Sequence, residues 1–194
     1  SKYEHGIDVV ALGDFAARPN FQRVLGGRPI FFFLPEGGFL EQDDNLALTN
    51  SVFKYLRKYL LKSGQGNPYF VLMHFNAELG GRLVKRLGFD ALSTYAIHGN
   101  GKGAPYNELT MDAYKFWDRA KASGSKFVPT AMAGWDRRPR VIRPVPWESG
   151  QVIRQDEIEF FYQEPRPEEL SEHVVEAMRW VKRNSVIAEA NTVL

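Results

Sequence analysis

The chain has 194 residues, 44% of them hydrophobic, and no cysteine; a substantial core is affordable, while disulfide frameworks, thiolate metal sites and cysteine nucleophiles are excluded. Its 25 basic and 23 acidic residues leave a formal net charge of +2, spread along the whole length, so no basic stripe argues for nucleic acid. No window approaches the roughly 18 uncharged apolar residues of a membrane span, and the opening SKYEHGIDVV lacks the pattern of a signal peptide. No nucleic-acid or membrane partner is expected, and the compartment is left open.

The first clear element is PIFFFL, Pro29 to Leu34, a continuous apolar run bounded by glycines that suits a strand buried on both faces. Val52, Phe53, Leu56, Tyr59 and Leu60 then keep helical spacing, with Gly64 as the stop. The cycle repeats with YFVLMHF, Tyr69 to Phe75, and a short helix around LGGRLVKRLG that Gly88 ends; Gly80 and Gly81 weaken its start. A third unit joins FDALSTYAIHG to a helix carrying Leu109, Ala113, Phe116, Trp117 and Ala120, stopped at Gly124.

A fourth begins at KFVPTAMAGWD, and its return helix is delayed by a loop rich in proline and charge, Pro139 to Pro167. Pro167, Glu168 and Glu169 form a favourable first turn, followed by an expected buried stripe of Leu170, Val174, Ala177, Met178 and Val181. NTVL then starts like another strand. Alternating strands and helices predict an α/β domain over residues 1–194 with a parallel sheet. Four units and the start of a fifth are about half to two thirds of an eightfold (β/α)8 barrel, so an incomplete TIM-type barrel, cut at both ends, is the expected architecture. No GxGxxG or other phosphate loop follows any of these strands, which disfavours a nucleotide fold.

In such architectures the site gathers where parallel strands end. Glu36 follows the first strand, His74 and Asn76 the second, Tyr95 and His98 the third, and Trp135, Asp136, Arg137, Arg138 and Arg140 the fourth. Aromatic faces beside hydroxyl-binding carboxylate, amide, imidazole and guanidinium groups suit a polyol ligand. Substrate-binding positions are therefore expected at Glu36, His74, Asn76, Tyr95, His98, Trp135, Asp136 and Arg138. Each alone has an ordinary explanation: Trp135 as a cap on the core, Asp136 and Glu36 as turn carboxylates, the arginines as ion-paired surface groups. His74, His98 and Asp136 could also form an N,N,O metal site for a hydrolase, but neither HxH nor HExxH occurs. No metal and no cofactor are expected.

Three pieces of sequence carry a family resemblance. They are FQRVLGGRP (21–29), GFDA leading to Tyr95 (88–91), and PTAMAGWDRRPR (129–140), the last being the most specific. Over residues 18–194 the chain resembles the C-terminal part of the glycoside hydrolase family 99-like barrels, a group that includes WbsX-type glycosyltransferases. The resemblance implies a (β/α)8 barrel acting on an oligosaccharide or polysaccharide. It also implies retaining chemistry by two carboxylates in a Trp-Asn-Glu-x-x-Glu type segment after a run similar to EANTVL. That segment is missing before Leu194, so no catalytic residue is carried over; Tyr95, Trp135, Asp136 and His74 are carried as sugar contacts. Within the chain Glu36, Asp136 and Glu148 are the carboxylates within reach of a strand-end site, and none has a partner of fixed spacing. A glycoside hydrolase is the leading expectation. The alternatives are a WbsX-type transferase of polysaccharide biosynthesis, a carbohydrate-binding homologue without catalysis and, behind these, a metal-dependent hydrolase.

Overall fold

The computed structural model describes residues 3–4, 7–24, 26–35, 43–97, 101–143 and 160–194. Two short strands, β1 (Tyr3–Glu4) and β2 (Ile7–Asp8), pair antiparallel and lead into α1 (Val9–Ala16). The Asp8 carboxylate caps that helix by accepting from Ala11 N–H at 3.0 Å, satisfying one of its otherwise unpaired donors.

The main sheet has four strands in the order β3 (Arg23–Val24), β4 (Arg28–Phe33), β5 (Tyr69–Met73) and β6 (Ala91–Ser93). β4, β5 and β6 run parallel, with Ile30 opposite Tyr69 and Val71 opposite Ala91. Beyond β6 the backbone continues the pairing without regular strand geometry. Leu92 N–H donates to Lys126 O at 2.8 Å, and Val128 N–H donates to Leu92 O at 2.9 Å. On the outer side of this backbone Phe127 N–H donates to Ile187 O at 2.9 Å, but Pro129, which faces the same way, has no N–H to give. Its carbonyl still accepts from Leu194 N–H at 2.9 Å, so the NTVL segment does lie beside this fourth exit.

The helices α2 (Asp43–Lys62), α3 (Ala77–Leu87), α4 (Tyr106–Ala122) and α6 (Pro167–Arg183) connect these strands in sequence; α5 (Arg138–Ile142) is a short turn of helix. Sequential parallel strands joined by crossovers of one hand place their helices on one side of the sheet. On that side Phe31, Phe70, Leu72, Leu92 and Phe127 share one core with Leu56, Leu60, Leu83, Leu109 and Trp117. Full burial of such side chains contributes about 1.5–3 kcal/mol each. The alternate residues, Ile30, Tyr69, Val71, Ala91 and Val128, form a second, smaller cluster with Val24 and Ala190 on the other face.

The eightfold barrel expected from the sequence is not what forms. Among the described residues the sheet has four strands, is mixed and does not close. Closure requires a full set of strands with matched tilt and stagger. Here β3 pairs antiparallel with β4, which ends the parallel series on that edge, and Pro129 weakens it on the other. The α/β class holds; the barrel does not.

Local signals fared better. Gly88 takes the left-handed conformation (φ 71°) that ends α3, and Gly124 does the same just beyond α4 (φ 70°), as residues without a Cβ can. Gly80 and Gly81 are buried within α3 rather than weakening its start. A Cβ at Gly80 would stand 2.6 Å from Leu92 Cδ1 and 2.9 Å from His74 Cβ, so its smallness lets the helix reach the sheet, while one at Gly81 would meet Ser123 Cβ, just beyond α4, at 2.6 Å. Two expectations need correction in α6 and before it. Val174 and Met178 are exposed, and the buried face is His173, Ala177, Trp180 and Val181; the stripe is rotated by about one residue. The segment after Pro139 also includes the rest of α5.

At the amino end of the sheet one carboxylate organises three elements. Asp90 accepts from Arg28 at 2.7 Å, from Arg57 at 2.6 Å and from Phe70 N–H at 2.8 Å. Both guanidiniums also bind the Pro68 carbonyl at 2.7 Å, and Arg57 lies over the Phe70 ring at 4.4 Å.

Candidate functional site

The carboxyl ends of β5, β6 and the Lys126–Thr130 segment come out side by side, and all the expected site residues but Glu36 follow these ends. Four of the buried residues below them carry hydroxyls. Ser93 Oγ donates to Val128 O at 2.8 Å, Thr130 Oγ1 donates to Thr94 O at 2.7 Å, and Thr94 Oγ1 donates to Ala96 O at 2.9 Å. Ser125 Oγ donates to Gly81 O at 3.0 Å, further toward α3. The first two bonds cross between the β6 exit and the Lys126–Thr130 segment and fix these exits laterally, while the other two satisfy buried hydroxyls locally and against α3.

The exit after Thr130 is held more tightly than the others. Trp117 Nε1 donates to Thr130 O at 3.3 Å, and the Tyr106 hydroxyl donates to Met132 O. Met132 N–H donates to His173 Nε2 at 3.0 Å. His173 is 1% exposed and stacks on Trp117 with ring centres 5.7 Å apart and planes 8° from parallel. Tyr106 and Tyr114 stand against its other sides. Burial holds the imidazole below its usual range and pushes the Tyr106 phenol up to about 12. In the sequence His173 lies 41 residues from Met132. Its reach from α6 to this exit was missed because helical spacing shows which face is buried and not what that face touches.

The sequence-predicted residues divide into three groups. Asn76 is a helix cap: its side chain accepts from Leu79 N–H at 2.8 Å at the start of α3. His74 turns back on the same loop, its Nδ1 accepting from Asn76 N–H at 3.0 Å, and the ring stays half-buried. Both are committed to local structure.

Asp136 and Arg138 form a fork. Arg138 Nε lies 3.0 and 3.1 Å from the two Asp136 oxygens, Nη2 lies 2.7 Å from Oδ2, and the Arg138 amide donates to Oδ1 at 2.9 Å. These bonds hold the Asp136 carboxyl below the usual range, which keeps it ionised and unsuited to act as a general acid. The guanidinium sits 3.5 Å from the centre of the Phe161 ring. Phe161 belongs to a clip that joins two loops: Tyr162 N–H donates to Trp135 O at 2.9 Å, Gly103 N–H to Phe161 O at 2.8 Å, and Gln163 N–H to Ala104 O at 2.8 Å. The cluster GWDRRPR is thus a pinned loop end.

Tyr95 and Trp135 remain as aromatic surfaces. Tyr95 is 54% exposed, and Trp135 is half-buried against the main core. Phe75, at the exit of β5, is 49% exposed and joins them as a residue the sequence reading did not single out. Glu36, His98 and Glu148 lie outside the described residues.

Comparison with protein-family models, with curated proteins and with solved structures gives no match.

Two cavities lie elsewhere among the described residues. One of about 430 Å³ is on the outer side of α4 and α6, lined by Tyr114, Glu172, Glu176 and Arg179. Another, of about 370 Å³, lies between Gln22–Val24 and Glu189–Thr192. Neither includes an expected site residue. Among the described residues no three His, Asp or Glu side chains gather as a metal-binding group, and no helix is long and apolar enough to cross a membrane.

Proposed function

We propose that the chain is a carbohydrate-active domain that binds an oligosaccharide or polysaccharide across the carboxyl end of its sheet, as the substrate-binding part of a glycoside hydrolase. The observation that supports it is that exposed Tyr95 and Phe75, half-buried Trp135 and His74 all follow the ends of neighbouring strands or strand-like segments. Flat apolar faces accept the C–H faces of sugar rings, and the imidazole can bond to ring hydroxyls. The family resemblance of the GWDRRPR region points to the same ligand class.

The Asp136 fork favours a second reading, recognition without cleavage, because the carboxylate next to Trp135 in the chain is engaged by Arg138. Glycoside hydrolysis ordinarily needs two carboxyl groups with separate roles. A panel of hexose oligosaccharides, α-mannosyl ones included, tested by calorimetry and by product analysis, separates the readings. Binding with turnover supports the hydrolase, and binding alone supports recognition. Tyr95→Ala should weaken binding by about tenfold while leaving the melting temperature nearly unchanged, since its ring is mostly exposed. Unchanged affinity in both Tyr95→Ala and Trp135→Ala would sink the sugar-stacking site.

A further inference from the structure

The binding surface proposed above depends on where the chain runs between Thr130 and Trp135. Both backbone polar groups of Met132 in that stretch are caught by buried side chains, the carbonyl by Tyr106 of α4 and the amide by His173 of α6. His173 Nε2 is the acceptor in this bond, so the ring is neutral with its proton on Nδ1, and Nδ1 has no hydrogen-bond partner. A second proton could be placed only on Nε2. It would then point at the Met132 N–H, donor against donor, so the imidazolium and this hydrogen bond exclude one another.

We infer that His173 is a positioning residue for the strand exit that carries Trp135, and that its protonation releases Met132 and weakens ligand binding at that end. The proposal rests on the sugar-binding reading for its functional consequence and on the Met132 contact for its structural one. The groups facing the ring are the Tyr106 and Tyr114 phenols of α4, both raised by burial and so uncharged across the relevant range. Glu169, Glu172 and Glu176 of α6 act on those phenols. Burial alone displaces the imidazole, and it does so downward. The latch is therefore closed at neutral pH and opens only on acidification below the ordinary histidine range, near pH 6.5.

The test compares the intact chain with His173→Gln, whose side-chain oxygen can accept from Met132 N–H and does not titrate. Amide exchange across residues 131–134, corrected for its intrinsic pH dependence, is followed from neutral to acid pH. Calorimetry with α-mannotetraose is run at the two extremes. In the native chain exchange should accelerate and affinity fall, each by about tenfold, the equivalent of one hydrogen bond. In His173→Gln both should stay flat. The same acid response in both proteins overturns the proposal. If His173→Gln does not fold, NMR of the native chain decides: a Met132 amide shift that titrates with the His173 ring supports the latch, and an amide shift that stays constant while the ring titrates overturns it. Exchange that follows His173 without α-mannotetraose binding at either pH supports the latch and counts against the sugar reading alone.

Discussion

The two ends of the sheet use the same pair of residue types in opposite ways. At the amino end Asp90 is shared between Arg28 and Arg57, which come from a strand and a helix 62 and 33 residues away in sequence. At the carboxyl end Asp136 bonds to Arg138, two residues on. The first arrangement joins elements that must come together for the sheet to form; the second stiffens one loop. An aspartate near arginines therefore says little until the partners are known. The aromatic residues divide the same way, with Tyr69 and Phe70 buried at the amino end and Tyr95 exposed at the other.

Four measurements would break or sharpen that contrast. The largest effect is expected for Asp90→Ala, which leaves two partly buried guanidiniums without their counter-ion and the Phe70 amide without its acceptor. It should cost about 3 kcal/mol in urea unfolding, and a cost no greater than that of Asp136→Asn would erase the distinction. Next, Gly80→Ala should cost about 2 kcal/mol by forcing α3 away from Leu92 and the start of the β5 exit, read as a fall in melting temperature.

Acid titration comes third. The folded-state pKa of His173 lies below its unfolded value, so the unfolded chain takes up the proton first. The stability this group confers is complete above about pH 6.5 and falls as pH drops, by at most about 1.4 kcal/mol per pH unit. His173→Gln should remove that part of the slope in denaturation curves collected at stepped pH. The smallest effect belongs to Asp136→Asn. An exposed ion pair contributes roughly 0–1 kcal/mol, so the melting temperature should hardly move; a large drop would make the carboxyl-end fork as structural as the Asp90 cluster.

The sequence carried the strands and helices wherever one periodic signal dominated. Pro29 to Leu34 had no polar side chain to place in water, and Gly88 and Gly124 marked their helix ends. It did not carry the sheet's outline. That depended on β3 turning back beside β4, a pairing of two residues on each side too short to leave a pattern, and on Pro129 withholding one amide. The site was legible in position more than in role. Asn76 sat at a strand end because it caps α3, and a capping asparagine looks the same in sequence as a ligand-binding one. Asp136 could be located but not its engagement with Arg138 and, through it, Phe161. His173 is not among the expected site residues, because its 41-residue distance along the chain from Met132 hides a direct bond.

The clip formed by Phe161, Tyr162 and Gln163 has a consequence for how this protein could be altered. Asp136 and Phe161 are bridged to each other, while Phe161 O and Gln163 N–H are tied to Gly103 and Ala104. Trp135, whose carbonyl accepts from Tyr162 N–H, is thus held in register with the Gly103–Ala104 turn as well as with its own strand exit, so a change at that turn would be felt at the indole without touching it.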